Sequence, residues 1–115
     1  MHNFKKLKIW IDSMSLVSDS YRLTKTFPSE EKFGLVSQMN RCAVSIPSNI
    51  AEGSSKSSDK HFATYLEHSL GSCFEWETQL NIAFNERYLS EERFKELEQK
   101  INQIQKMISS FKSRL

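Results

Sequence analysis

The side chains here with the most reactive chemistry are three histidines, two cysteines and a scattered set of lysines and arginines. His61 and His68 stand seven residues apart, which puts them on one face of a helix. Glu67 adjoins His68, and the group invites a metal reading. A zinc site needs three or four ligands, however, and Glu67 points about 100° away from His68 on a helix. No further ligand follows at helical spacing. Helix bundles that hold two metals use Glu-x-x-His pairs, and no Glu in this chain is followed three residues later by a His. Cys42 and Cys73 form no Cys-x-x-Cys pair. Arg41 adjoins Cys42 in sequence but turns about 100° away on a helix, so it is no activating neighbour for the thiol. The three glycines are isolated, which leaves no phosphate-cradling loop and no nucleophile elbow. These residues predict no catalytic group, no metal ligand and no cofactor; the chain does not read as an enzyme. Both cysteines read as small core residues, reduced, in a cytoplasmic protein.

The basic residues point elsewhere. Sixteen Lys and Arg face fourteen Asp and Glu, a formal net charge of +2, too small to signal nucleic acid by itself. Their distribution is uneven. The first 27 residues hold Lys5, Lys6, Lys8, Arg22 and Lys25 against Asp12 and Asp19, and Ser90 to Leu115 holds six cations against four acids. The middle is therefore negative. If the first and last helices lie side by side, their outer faces form a basic strip; the alternative is an ordinary solvated surface. The candidate phosphate contacts are Lys5, Lys6, Lys8, Arg41, Lys56, Lys60, Lys106, Lys112 and Arg114, and no spacing rule chooses among them. Trp10, Phe62, Trp76, Phe84, Phe94 and Phe111 fall on apolar stripes, so they read as core rather than as stacking platforms for bases.

The elements that must position these residues are helical. A chain of 115 residues makes one domain, residues 1–115. Three glycines and two prolines are too sparse for an all-β fold. No apolar run approaches the roughly 20 residues of a membrane span. Helix one is predicted from about Phe4 or Leu7 to Lys25, with Leu7, Trp10, Met14, Val17, Tyr21 and Thr24 as its core stripe. Ile9, Leu16 and Leu23 form a second apolar line on the opposite side. Its simplest use is a subunit interface in a homo-oligomer; the alternative is cover by another helix of the same chain. Phe27-Pro28-Ser29-Glu30-Glu31 reads as a helix start. Helix two then runs from about Ser29 to Glu52, with Phe33, Leu35, Val36, Met39, Cys42, Ala43, Ile46 and Ile50 on its apolar arc. Pro47 lies inside it and predicts a kink, with Ser45 and Ser48 satisfying the freed backbone groups. Gly53 is expected as its left-handed C-terminal residue. Ser57 or Ser58 caps a third helix, about Asp59 to Asn85, in which Gly71 and Ser72 mark a place of close helix approach. Ser90 caps the fourth, where Phe94, Leu97, Ile101, Ile104, Ile108, Phe111 and Leu115 alternate three- and four-residue steps. Short connections make this an all-α, up-down-up-down four-helix bundle.

The run FPSEEKFGLVSQMNRCAVSIPSNIAEGSSKSS, then FATYLEHSLGSCFEWETQL, with the opening FKKLKIW, resembles a known family. It is similar to the small four-helix-bundle proteins encoded in intervening sequences of bacterial 23S ribosomal RNA genes, also labelled S23-type ribosomal proteins. SIPSNIAEG, Ser45 to Gly53, is the most specific part. The likeness extends to the accessory protein of diversity-generating retroelements, a pentameric barrel of four-helix bundles that binds nucleic acid and a reverse transcriptase. The resemblance implies a ring-shaped homo-oligomer, a homopentamer, with a non-enzymatic role. The partner is RNA or DNA, or a nucleic-acid-handling protein such as a reverse transcriptase. The alternative is an adaptor that docks a protein without touching nucleic acid. Where the family often has two arginines followed by alanine, this chain has Asn40, Arg41 and Cys42, one basic residue fewer.

Overall fold

In the computed structural model, which describes residues 3–115, four α-helices pack around one apolar core, with no strand among the described residues. They are α1 (Lys8–Thr24), α2 (Leu35–Ser54), α3 (Asp59–Asn85) and α4 (Glu91–Ser113). Each packs on its neighbours in sequence, and α1 meets α4 to close the bundle. Single turns of 3-10 helix at Phe4–Lys6 and Ser29–Glu31 precede α1 and α2. The molecule is elongated, 44 × 25 × 20 Å. Its long axis matches the roughly 40 Å length of a 27-residue helix such as α3 at 1.5 Å rise per residue.

The face of α1 that enters the core is the reverse of the expected one. Ile9, Leu16 and Leu23 are all buried inside the chain itself, so they are not a subunit interface. The reason lies between them. Ser13 and Ser20 are fully buried, and Ile9-Ser13-Leu16-Ser20-Leu23 is a continuous stripe of four- and three-residue steps whose alternate members are small. The serines leave room for a large neighbour. Trp76 is fully buried and its Nε1 donates to Ser20 Oγ at 3.1 Å. Ser20 Oγ donates onward to Asn40 Oδ1 at 3.0 Å. The expected core stripe instead faces outward in part: Met14 is 43% and Tyr21 47% exposed, with Trp10 and Val17 half-buried.

Helix two also starts later than its pattern suggests. Gly34, with φ −111° and ψ −110°, separates the 3-10 turn from α2. Phe33 consequently sits outside the helix and is 90% exposed, not part of the apolar arc. From Leu35 on, Met39, Cys42, Ala43, Ile46 and Ile50 are buried as expected. The helix continues through Pro47 to Ser54. Side-chain bonds around the proline are partly inter-helical and partly within α2. Ser69 Oγ of α3 donates to the Ile46 carbonyl at 2.9 Å, Ser45 Oγ meets Ser72 Oγ at 2.9 Å, and Asn49 Nδ2 donates to the Ser45 carbonyl at 2.9 Å. Ser48 is exposed.

Neither helical glycine takes its expected role. Gly53 is not left-handed: no glycine here has positive φ. It lies within α2, pressed against Phe62 and Tyr65 of α3. Gly71 has nothing within 4 Å of where a Cβ would stand. Helices α3 and α4 have the predicted caps, Ser58 accepting from His61 N–H and Ser90 from Arg93 N–H. Between them Arg87 takes φ 64°. Tyr88 N–H bonds the Ala83 carbonyl and Arg87 N–H the Phe84 carbonyl, each at 2.9 Å, the paired bonds of a Schellman stop. In α4, Leu97, Ile101, Ile104 and Ile108 are buried, with Phe94 and Phe111 packed at the two ends.

Candidate functional site

The N-terminal turn and α1 lie beside α4, and a groove of about 880 Å³ runs between them. Its α4 wall extends from Lys95 to Arg114, about 28 Å at helical rise. That wall is a polar stripe: Lys95, Glu98, Gln99, Asn102, Gln103, Lys106, Ser110 and Arg114 follow one another at helical steps. Leu7, Ile9, Met107 and Phe111 supply the apolar floor, and Lys6 and Lys8 the opposite rim. Glu98 is the one acid among the lining residues, against Lys6, Lys8, Lys95, Lys106 and Arg114. The positive charge is only partly compensated from outside. Lys8 pairs with Asp12 at 2.8 Å and Lys95 with Glu91 at 3.2 Å, both exposed pairs. Arg114 donates to Ser110 Oγ at 3.1 Å. Lys6 and Lys106 form no ion pair among the described residues.

Of the candidate cations named from sequence, Lys6, Lys8, Lys106 and Arg114 share this groove. The others do not join it. Lys5 lies in the same 3-10 turn but does not line the groove. Lys112 is tied to Glu67 of α3 at 2.9 Å. Lys56 sits over the Tyr65 ring, 5.0 Å from its centre. Lys60 is in the first turn of α3, and Arg41 lines a separate notch between α2 and α3. Lys95 was missed because Glu91, Glu92 and Glu96 around it mask its charge in a linear reading. The helical phase it shares with Lys106 and Arg114 was the available signal.

Further cations gather along the same pair of helices. Asp19, buried on α1, receives Lys100 of α4, Arg22 at 2.8 Å and Arg93 at 3.8 Å. Lys100 also donates to Ser15 Oγ at 2.7 Å. Glu96 also pairs with Arg93, so two carboxylates face three cations, and the remainder adds to the positive field of this side.

His61 Nδ1 lies 3.1 Å from Ser58 Oγ at the helix cap, and the His68 ring packs edge-on to Tyr65 at 5.7 Å. No three His, Cys, Asp or Glu side chains come together as metal ligands among the described residues. Burial pushes the Cys73 thiol up to about 12. Burial raises Cys42 further still, helped by its hydrogen bond to Glu75. Both are free thiols and both stay protonated at neutral pH, without the thiolate that reactivity requires. No helix among the described residues is long and apolar enough to cross a membrane.

The fold and groove therefore define a small all-α protein with four helices and one positively rimmed groove. The chain belongs to the family of 23S rRNA-intervening sequence proteins, whose family model matches residues 5–110. It is also similar to the crystal structure of a protein of unknown function from the S23 ribosomal protein family of Bacteroides thetaiotaomicron. That protein is 24% identical, with 91% of this chain and 95% of that one covered and a TM-score of 0.84, a likeness of fold. None of the curated proteins compared with the chain matches it.

Proposed function

We propose that the protein is a non-enzymatic binder of nucleic acid that holds phosphates along the α1/α4 groove. The observation that carries this reading is the convergence of Lys6, Lys8, Lys95, Lys106 and Arg114 around a single lining acid, Glu98. A row of cations about 28 Å long spans several phosphates of a duplex, which carries one charge per ~1.7 Å of axis. No aromatic platform lies on the rim, so the binding is of backbone rather than of bases. The test is fluorescence anisotropy with a structured RNA and a duplex DNA over a salt series. Affinity should fall steeply with salt, and Lys106→Ala and Lys6→Ala should each lessen the logarithmic slope by about 1. Absence of binding to both nucleic acids at low salt overturns the proposal.

The same reading includes a ring-shaped homo-oligomer, a pentamer in keeping with the family resemblance. What supports an oligomer is the apolar face shared by α1 and α2, where Met14, Val17, Val44 and Pro47 line a shallow depression. Light scattering giving a monomer at micromolar concentration refutes it. Up-down-up-down order is supported by cross-helix partners that run in opposite senses: Cys42 with Ser72, Ile46 with Ser69 and Gly53 with Tyr65. A bend of α2 at Pro47 belongs to the same proposal. Free buried thiols fit a reducing, cytoplasmic setting.

The apolar floor, Leu7, Ile9, Met107 and Phe111, favours a second reading, an adaptor whose partner is a protein segment lying in the groove. A stoichiometric protein partner that survives nuclease treatment, with salt-insensitive binding, supports that reading over the first.

A further inference from the structure

Phe33 is an outlier on this surface. It is 90% exposed, whereas Phe74, the next most exposed large apolar side chain among the described residues, is 56%. A phenylalanine left in water forgoes most of the transfer free energy that burial returns. The turn that carries it is nevertheless fixed. Glu31 Oε1 accepts from the Leu35 N–H at 3.3 Å and Glu31 Oε2 from the Tyr88 hydroxyl at 2.8 Å. The Gly34 N–H bonds the Glu31 carbonyl at 3.0 Å. Lys32 Nζ stands 5.5 Å from the centre of the Phe33 ring, over one face. Phe33 is thus a knob on a clamped base, and a contact made there has little backbone left to order.

The same chain carries a depression that such a knob fits. Between α1 and α2 a hollow of about 340 Å³ is lined by Phe4, Trp10, Met14, Val17, Val44, Pro47, Ala51 and Ser48. Met14 and Val44 are 43% and 39% exposed, so its apolar floor is open. No charged side chain lines it, which leaves nothing there for a phosphate to bind. The chain's own Phe33 cannot fill it. Val44 and Pro47 lie about 14–18 Å along α2 from Leu35, beyond the reach of a phenyl side chain. A second copy can fill it, and each copy then satisfies one knob and one depression. Charge at the edges agrees: Glu30 in the turn of the knob and Lys5 beside Phe4 are opposite in sign, exposed, and without an ion pair among the described residues. We propose that Phe33 of one copy seats in the α1/α2 depression of the next. Knob and depression are different patches, so the contact is heterologous, and its repetition builds a ring where the rotation closes. The inference rests on the homo-oligomer of the proposed function and names how its copies join.

The experiment measures the mass of the full chain by sedimentation velocity, without nucleic acid, and checks the fold by far-UV circular dichroism. The parent chain should assemble at micromolar concentration. Phe33→Ser should weaken assembly by about ten- to a hundredfold with the helix content unchanged, because the ring is buried only in the contact. Val44→Asp should do the same from the other side, and Met14→Glu, which blocks the same hollow, replaces it if Val44→Asp fails to fold. The deciding arm mixes Phe33→Ser with Val44→Asp at a concentration where each alone is monomeric. Such a pair retains one intact knob and one intact depression, so the mixture should form a one-to-one heterodimer and nothing larger. A parent chain that stays monomeric overturns the homo-oligomer and this contact together. A parent that assembles, with Phe33→Ser assembling equally well or the mixture remaining monomeric, overturns the contact and leaves the oligomer standing.

Discussion

Replacing each of two glycines by alanine should move stability in opposite directions, although both sit inside helices. A Cβ on Gly53 would stand 2.6 Å from Tyr65 Cβ and 2.9 Å from Phe62 Cδ1. Carbon atoms in good contact lie about 3.5–4.0 Å apart, so α2 and α3 must separate by roughly 1 Å. Tyr65 Cβ cannot swing aside, because it is fixed to the α3 backbone. Overpacking of this kind costs about 1–3 kcal/mol, and the rigid neighbour places it in the upper part of that range. Alanine regains about 1 kcal/mol of helix propensity over glycine. The net expectation for Gly53→Ala is a loss of about 1–2 kcal/mol. At Gly71 the clash is absent, since a Cβ there meets nothing within 4 Å. Gly71→Ala should therefore show the propensity gain alone, about 1 kcal/mol of added stability. Urea denaturation of both variants alongside the parent measures the difference, with unchanged m-values required for a like comparison. A Gly53→Ala variant as stable as the parent, or a destabilised Gly71→Ala, refutes the assignment of the two roles.

The Asp19 cluster predicts a large effect from one charge. Asp19→Ala strips Lys100 of its ion-pair partner and leaves Arg93 with Glu96 alone, and since these cations are partly exposed the loss should be about 2 kcal/mol rather than the 3–5 of a fully buried pair. Lys8→Ala at the exposed Lys8–Asp12 pair should cost under about 0.5 kcal/mol. Denaturant titration of the two separates the cases, and equal effects contradict the burial argument. Alkaline pH gives an independent check. Cys42 and Cys73 titrate from 9.0 in the unfolded chain and higher when folded. Their contribution is thus complete below pH 9.0 and is lost as pH rises toward the folded values, at about 1.4 kcal/mol per pH unit for each thiol. The hydrogen bond from Tyr88 to Glu31 raises that hydroxyl in the same sense. The melting temperature should fall on raising the pH above 9.0, and less so in Cys73→Ala; an identical fall in that variant contradicts the origin assigned to it.

Helix content and caps were legible because apolar spacing and Ser-Asp or Ser-Glu starts report local structure. The ends of α3 and the stripe of α4 are where periodicity puts them. The orientation of α1 was not legible. A serine reads as polar when taken alone, yet Ser13 and Ser20 are core residues, Ser13 bonded to the Trp10 carbonyl of its own helix and Ser20 to the Trp76 indole. The larger residues Met14 and Tyr21 made the opposite face look like the inner one. Hydrophobicity ranks side chains by transfer energy, whereas packing selects them by volume against a particular neighbour. The groove was half legible for a related reason. Uneven charge along the chain marked the first and last helices as basic, but which cations converge depends on the α1/α4 contact. Position in space removed Lys5, Arg41, Lys56, Lys60 and Lys112 from the set and brought in Lys95.

The stretch Ser45 to Gly53, which carries most of the resemblance read from the sequence, takes on a physical meaning from its contacts. Ser45 bonds Ser72, Ile46 offers its carbonyl to Ser69, Asn49 returns to the Ser45 carbonyl, Ile50 is buried, and Gly53 admits Phe62 and Tyr65. Ser45, Ile46 and Gly53 serve the α2/α3 contact, where small residues and hydrogen bonds bring two backbones together beside a proline, while Pro47, Ser48 and Ala51 line the depression on the α1 side. Such a contact tolerates few alternatives. The positive groove lies on the other pair of helices, where Lys6, Lys106 and Arg114 project from the bundle and are held by no comparable packing. Charges there can change without cost to the core. The packing of α2 on α3 is thus held by contacts that a substitution would disturb, while the cations of the α1/α4 groove can be replaced one at a time to test what they bind.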